Sequence, residues 1–136
     1  MPALSTVCSD EFLDKEFGAV DYTPPASHWL ALYSVAVAAD GSGGTELPFT
    51  NDYARVEIPN DKTSWTTASA KSVTNALELA FPQANGGDWP QAVAIALKTA
   101  STGGTVRAHG SLEEPVTIRD GKTASYDVGQ LEIVFA

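Results

Sequence analysis

The chain is poor in positive charge, and that poverty excludes the most. Eight Lys and Arg residues stand against 17 Asp and Glu in 136 residues, for a net charge of −9. Such a chain repels phosphate backbones, and no Lys/Arg cluster offsets this, so no nucleic-acid partner is expected. An anionic membrane surface is disfavoured on the same ground. Cysteine is nearly absent: Cys8 alone allows no intramolecular disulfide, and beside apolar residues it reads as a small buried hydrophobe. No stretch approaches about 18 apolar residues, so no transmembrane helix is expected. The N-terminus lacks a basic region followed by an apolar run, so no signal peptide is expected either. The protein is therefore expected to be made and assembled in a cytoplasm. Charge of either sign is scarce, at 18% of residues against 43% hydrophobic. A free protein of this size normally carries more, which points to surface covered by partners.

Catalytic signatures are missing as well. There is no Gly-x-Ser-x-Gly, Walker loop, dinucleotide fingerprint or Cys-x-x-Cys. His28 and His109 have no Cys, His or Glu at a metal-ligand spacing, so each reads as structural. Glu113-Glu114 is an adjacent pair before Pro115, read as a solvated turn; glycoside hydrolysis needs carboxylates facing across a cleft. Asp40, the following glycines and Glu46 lack the Asp-x-Asp-x-Asp-Gly register of a calcium loop. The expectation is no enzyme, no cofactor and no metal.

What is present is periodicity. Cys8, Phe12, Leu13, Phe17 and Val20 form an apolar stripe at helical spacing, with Ser5 or Ser9 as N-cap, Gly18 as the C-terminal stop and Pro24-Pro25 forbidding continuation. After Pro25 the period changes to two. Residues 29–38 form an almost unbroken apolar run, as in a strand buried on both faces. Ala54, Val56 and Ile58 alternate with Arg55 and Glu57, a half-exposed strand. Leu77, Leu79 and Phe81 alternate in another. Val93, Ile95 and Leu97 oppose Ala92, Ala94 and Ala96, giving a bulky face for the core and an alanine face open to close approach, with the N-terminal helix as its expected occupant. Leu131, Ile133 and Phe135 close the chain. The expected core is Leu30, Leu32, Val56, Ile58, Leu77, Leu79, Val93, Ile95, Leu97, Leu131 and Ile133. Seven to nine strands at this spacing predict a mainly β fold: one antiparallel β-sandwich, jelly-roll-like, with a short N-terminal helix. Residues 1–25 form the helix and Pro-Pro connector and residues 26–136 the sandwich, one domain overall.

One ordered set of pieces carries a resemblance. Phe12-Leu13-Asp14, Phe17-Gly18, Tyr22-Thr23-Pro24-Pro25, Gly43-Gly44-Thr45-Glu46, Tyr53-Ala54-Arg55-Val56, Phe81-Pro82-Gln83-Ala84 and Asp120-Gly121-Lys122 occur in this order over nearly the whole chain. In this order the chain resembles a family of small tailed-bacteriophage virion proteins, variously head-decoration proteins, tail-fibre proteins or proteins of no assigned role. The resemblance implies a virion structural protein, such as a capsid decoration, collar or tail component. Its implied partners are copies of itself, a trimer in preference to a dimer, and other virion proteins such as major capsid or tail proteins. The segment expected at such an interface is Phe12, Leu13 and Phe17, an apolar stripe on a helix too short to stand alone. The alternative is a carbohydrate- or receptor-binding module of a fibre, with Trp65 in its polar loop and Tyr53 as stacking platforms.

Overall fold

In the computed structural model, which describes residues 2–18 and 20–135, the two most apolar runs of the chain pair with each other. They are β2 (Ser27–Val35) and β7 (Ala92–Lys98), antiparallel, with Leu30 opposite Leu97, Ala31 opposite Ala96 and Leu32 opposite Ile95. The register puts branched side chains on one face and alanines on the other. The remaining strands are β1 (Ala3–Leu4), β3 (Thr45–Glu46), β4 (Val56–Pro59), β5 (Ser72–Thr74), β6 (Leu79–Ala80), β8 (Val106–Val116), β9 (Ser125–Tyr126) and β10 (Glu132–Val134), with one helix, α1 (Thr6–Glu16). Strand accounts for 36% of the protein and helix for 8%, so the fold is mainly β.

Eight strands form one sheet in the order β3-β2-β7-β8-β1-β10-β5, with β4 pairing β2 beside this path. β6 and β9 form a separate two-stranded ribbon. The sheet is mostly antiparallel; β1 runs parallel to β10. The main core lies between the large sheet and that ribbon with its flanking loops: Leu30, Leu32, Ile95, Leu97 and Ile133 come from the sheet, Leu79 from the ribbon, and Tyr53, Phe81 and Trp89 from loops. Of the expected core, Leu30, Leu32, Ile58, Leu79, Ile95, Leu97, Leu131 and Ile133 are buried. Val56 and Val93 are half-buried.

Four expectations are corrected, the last of them the occupant of the alanine face. Leu77 is 50% exposed. The strand expected around it shrinks to Leu79–Ala80, because the fully buried Asn75 donates to the Leu77 carbonyl (2.7 Å) and the Asp127 carbonyl (2.9 Å), and its own Oδ1 accepts from the Leu131 amide (2.9 Å). Those bonds turn the chain before β6 begins. On β7 the alternation breaks at its start: Ala92 joins the main core and Val93 the alanine face. A register shift between Ala92 and Ala94 against β8 is the cause, since a bulge exchanges the two faces of a strand. Glu113 and Glu114 lie on an exposed stretch of β8 rather than in a turn.

The alanine face carries Ala31, Tyr33, Ala94, Ala96 and Val106. The helix does not cover it. The loop 36–44 does: Val37 packs against this cluster, and His109 Nε2 lies 3.3 Å from the Ala39 carbonyl.

Candidate functional site

The N-terminal arm is seated on β8 by backbone geometry. A Cβ at Gly110 would fall 2.6 Å from Pro2 Cα, so only glycine leaves room for the chain to lie there. Ser5 is fully buried: its amide donates to the Arg107 carbonyl (2.8 Å) and its hydroxyl to the Val106 carbonyl (2.9 Å). The same hydroxyl accepts from the Cys8 amide (3.3 Å), which makes Ser5, not Ser9, the N-cap of α1. Gly18 follows the helix in the left-handed conformation expected of a C′ glycine.

This anchoring decides where the stripe goes. α1 is held beside β8 at Arg107, and its apolar residues are only partly used. Phe12 stacks edge-on against Tyr22 and lies against Phe135. Leu13 is 49% exposed and Phe17 79%, and Val7 and Val20 are exposed as well. The three residues expected at an interface therefore stand on the surface, on one short element.

Two buried arginines were missed by the sequence reading, which placed Arg55 on the solvent side of its strand. Arg55 is buried and forms a two-pronged pair with Glu46: Nε to Oε2 at 2.8 Å and Nη2 to Oε1 at 2.6 Å. Its Nη1 donates to the carbonyls of Ala100 (2.6 Å) and Gly103 (2.9 Å). Glu46 also accepts from Tyr53 Oη at 3.2 Å. Arg107 is buried too. It pairs through Nη1 with Glu11 of α1 and donates from Nη2 to Tyr22 Oη at 2.6 Å, lying over that ring. For both arginines burial alone would lower the pKa; the hydrogen bond to the partner glutamate and the surrounding acidic groups (Glu46, Tyr33 and Tyr53 about Arg55; Cys8, Tyr22 and Glu11 about Arg107) more than offset this, and both are held above the usual value. The detectable signal was composition. With eight basic residues in the chain, Ala54-Arg55-Val56 and Val106-Arg107-Ala108 each set one between apolar neighbours inside a strand pattern.

Beside Arg107 a cavity of about 620 Å³ opens between α1, the loop 60–71 and the sheet, β5 included. Its wall is largely apolar, with Leu4, Phe12, Val73, Leu97, Ala108 and Ile133 among the lining residues. Trp65 and His28 line it, their rings edge to face. Burial pushes the His28 pKa down, with the Arg107 charge adding to the effect, and burial pushes the Cys8 thiol up. Three buried polar atoms on lining side chains, His28 Nδ1, Trp65 Nε1 and Arg107 Nε, have no hydrogen-bond partner among the described residues.

Tyr53 does not join Trp65 there. It is 3% exposed, accepts from the Leu32 amide (3.0 Å), and packs among Phe49, Phe81 and Trp89. Burial raises its pKa well above the ordinary tyrosine value, with the Glu46 charge contributing. The pairing of Trp65 with Tyr53 as a stacking platform is therefore corrected: Trp65 stands at the cavity and Tyr53 is enclosed in the core, because its hydroxyl is needed by Glu46 and β2. Of the other residues weighed for chemistry, Asp40 is occupied by Ser42, whose amide (2.9 Å) and hydroxyl (2.6 Å) both donate to it. Glu46 is committed to Arg55.

No curated protein matches this chain. A family model does, that of the podophage GP4 fiber I protein gp80, over residues 3–134.

Proposed function

The chain belongs to the podophage GP4 fiber I protein gp80 family, and from that premise we propose that it is a small assembly module of the phage fibre. It acts by burying apolar surface against copies of itself and neighbouring virion polypeptides, after being made in the host cytoplasm. One observation carries this reading beyond the family: Leu13, Phe17 and Val20 stand exposed together on and just after a single short helix, on a chain otherwise poor in charge. Monomeric proteins scatter such residues singly; a cluster of them is what an interface uses. A specific interface takes about 800 Å² from each partner, so the stripe would form the centre of a larger patch. The reading is non-catalytic. His109 faces a carbonyl and His28 faces an indole, which fits structural roles for both.

The test is the double variant Leu13→Glu with Phe17→Glu. Point changes are preferable to removing residues 1–17, because β1 is part of the large sheet and its loss would unpair β8 from β10. The double variant is expected to keep its fold, sediment as a smaller species than the unsubstituted protein, and be absent from purified particles. Retention of both oligomeric state and particle incorporation would reject the stripe as an attachment element.

A further inference from the structure

We propose that the cavity beside Arg107 is a binding site for an anionic amphiphile: an acyl or aryl body enters the apolar chamber and an acidic headgroup sits at the rim against Lys62 and Lys71. This goes beyond the assembly role and does not depend on it.

The volume is the first ground. A chamber of about 620 Å³ lies within the range of about 300–1,000 Å³ typical of small-molecule sites, and its wall combines apolar side chains with a few polar groups, as such sites do. Burial of apolar surface supplies the attraction for the body of the ligand.

Charge is the second ground. The chain holds eight basic and 17 acidic residues. Of these, Lys62, Lys71 and Arg107 line the chamber, with Asp61 the one acid among the lining residues. Asp61 is engaged with its own turn, accepting from the Thr63 amide and hydroxyl and from the Ser64 amide. Arg107 is already paired with Glu11. The two lysines are exposed, and neither takes part in the described ion pairs. Three of the eight basic residues of an acidic protein thus line this one apolar opening.

Backbone strain is the third ground. Ala70 (φ 50°) and Lys71 (φ 64°) are consecutive non-glycine residues in the left-handed region, in a two-residue turn closed by reciprocal Ser69 and Ser72 backbone hydrogen bonds. Such a turn favours Asn, Asp or Gly at both places. The chain follows that rule at Asn51 and Asp52, which also have positive φ. It breaks the rule at Ala70-Lys71, where a lysine is held at the rim in a conformation its side chain disfavours. Strain of this kind persists at sites that use the residue. The unpartnered Trp65 Nε1 and Arg107 Nε add buried donors on lining side chains.

The test uses the full chain and dodecanoate below its micelle concentration, followed by indole fluorescence and calorimetry, with dodecanol as the uncharged control. Saturable one-to-one binding of dodecanoate is expected, with dodecanol at least tenfold weaker. Lys71→Gly relieves the strained backbone and is expected to raise the melting temperature while weakening dodecanoate binding about tenfold. That opposite pair of shifts separates a lost contact from a damaged fold. Lys62→Gln should weaken binding without changing stability. A further arm, co-sedimentation with phosphatidylglycerol vesicles, identifies a lipid as the source if Lys62→Gln and Lys71→Gly reduce it; no co-sedimentation, alongside dodecanoate binding, identifies a free carboxylate. Absence of saturable dodecanoate binding, equal affinity for dodecanol, or unchanged binding in Lys71→Gly would overturn the proposal.

Discussion

Arg55 and Arg107 are the same device in two states of completion. Each is a buried arginine, Arg55 just before β4 and Arg107 within β8, paired with one glutamate and lying over one aromatic ring. Around Arg55 the account is closed: Nε, Nη1 and Nη2 all donate, and the side chains of both partners are largely enclosed, at 3% and 14% exposure. Around Arg107 it is open: Nε has no partner among the described residues, Glu11 is 38% exposed, and the guanidinium stands at the wall of the cavity. A fully satisfied buried ion pair fixes loops to a sheet. A partly satisfied one at a cavity holds an element that other molecules can reach. The first ties the loop 100–103 and β3 to the core; the second ties α1, the element with the exposed stripe, to β8.

The comparison fails if the two arginines behave alike on removal. Arg55→Ala strands Glu46 in a largely enclosed site and is expected to cost about 3–5 kcal/mol in denaturant unfolding, the usual penalty for breaking a buried pair. Ile95→Ala, a cavity in the main core, should fall in the range of about 2–5 kcal/mol and calibrates the scale. Arg107→Ala should cost less, about 1–3 kcal/mol, because Glu11 can rehydrate; its larger effect should be loosened packing of α1, read as faster amide exchange over residues 6–16. If Arg107→Ala proved as costly as Arg55→Ala, the distinction between closed and open would be lost.

Titration sharpens the same contrast through one group from each region, Tyr53 and His28, which respond at opposite ends of the pH scale. Tyr53, beside Glu46, has its pKa raised by burial above the unfolded value of 10.0. Its stabilising contribution is complete below about pH 10 and is lost as pH rises above that, since the unfolded chain then gives up its proton first. Tyr53→Phe should flatten this alkaline decline. His28, at the cavity, has its pKa lowered below the unfolded value of 6.5, again mainly by burial. Its contribution is present above about pH 6.5 and is lost as pH falls below it, because protonation favours the unfolded chain. His28→Phe should flatten the acid limb and leave the alkaline limb unchanged. The smallest effect on stability belongs to Phe17→Glu, expected within about 0.5 kcal/mol, as for surface positions generally, while the proposed association is expected to be lost.

The strands were legible where alternation is unbroken. β7 from Ala94 onward and β10 could be read from period-two patterning, and β2 from its almost unbroken apolar run, though it spans Ser27–Val35 rather than 29–38. Legibility stopped where a bulge shifts parity. Ala92 and Val93 exchange faces, and a second shift, between Leu97 and Lys98 against β8, falls opposite Arg107. Nothing local in sequence announces an extra residue in the opposing strand. The Glu11–Arg107 pair was illegible for a related reason: Glu11 lies 96 residues from Arg107, and a pair that distant exists only once the sheet has formed. The stripe on α1 was readable as apolar, but its destination was not. Docking was fixed by Ser5 and Arg107, polar residues whose partners are backbone and side chains far along the chain, rather than by the fit of apolar side chains to the alanine face.

The central claim is that this protein is held in the virion through the apolar face of its N-terminal helix. A reconstruction of the intact particle at side-chain detail tests it most directly. The account predicts the domain on the fibre, with Leu13, Phe17 and Val20 buried against another virion polypeptide or a second copy of this chain. Density that placed those three side chains toward solvent in every copy would contradict it.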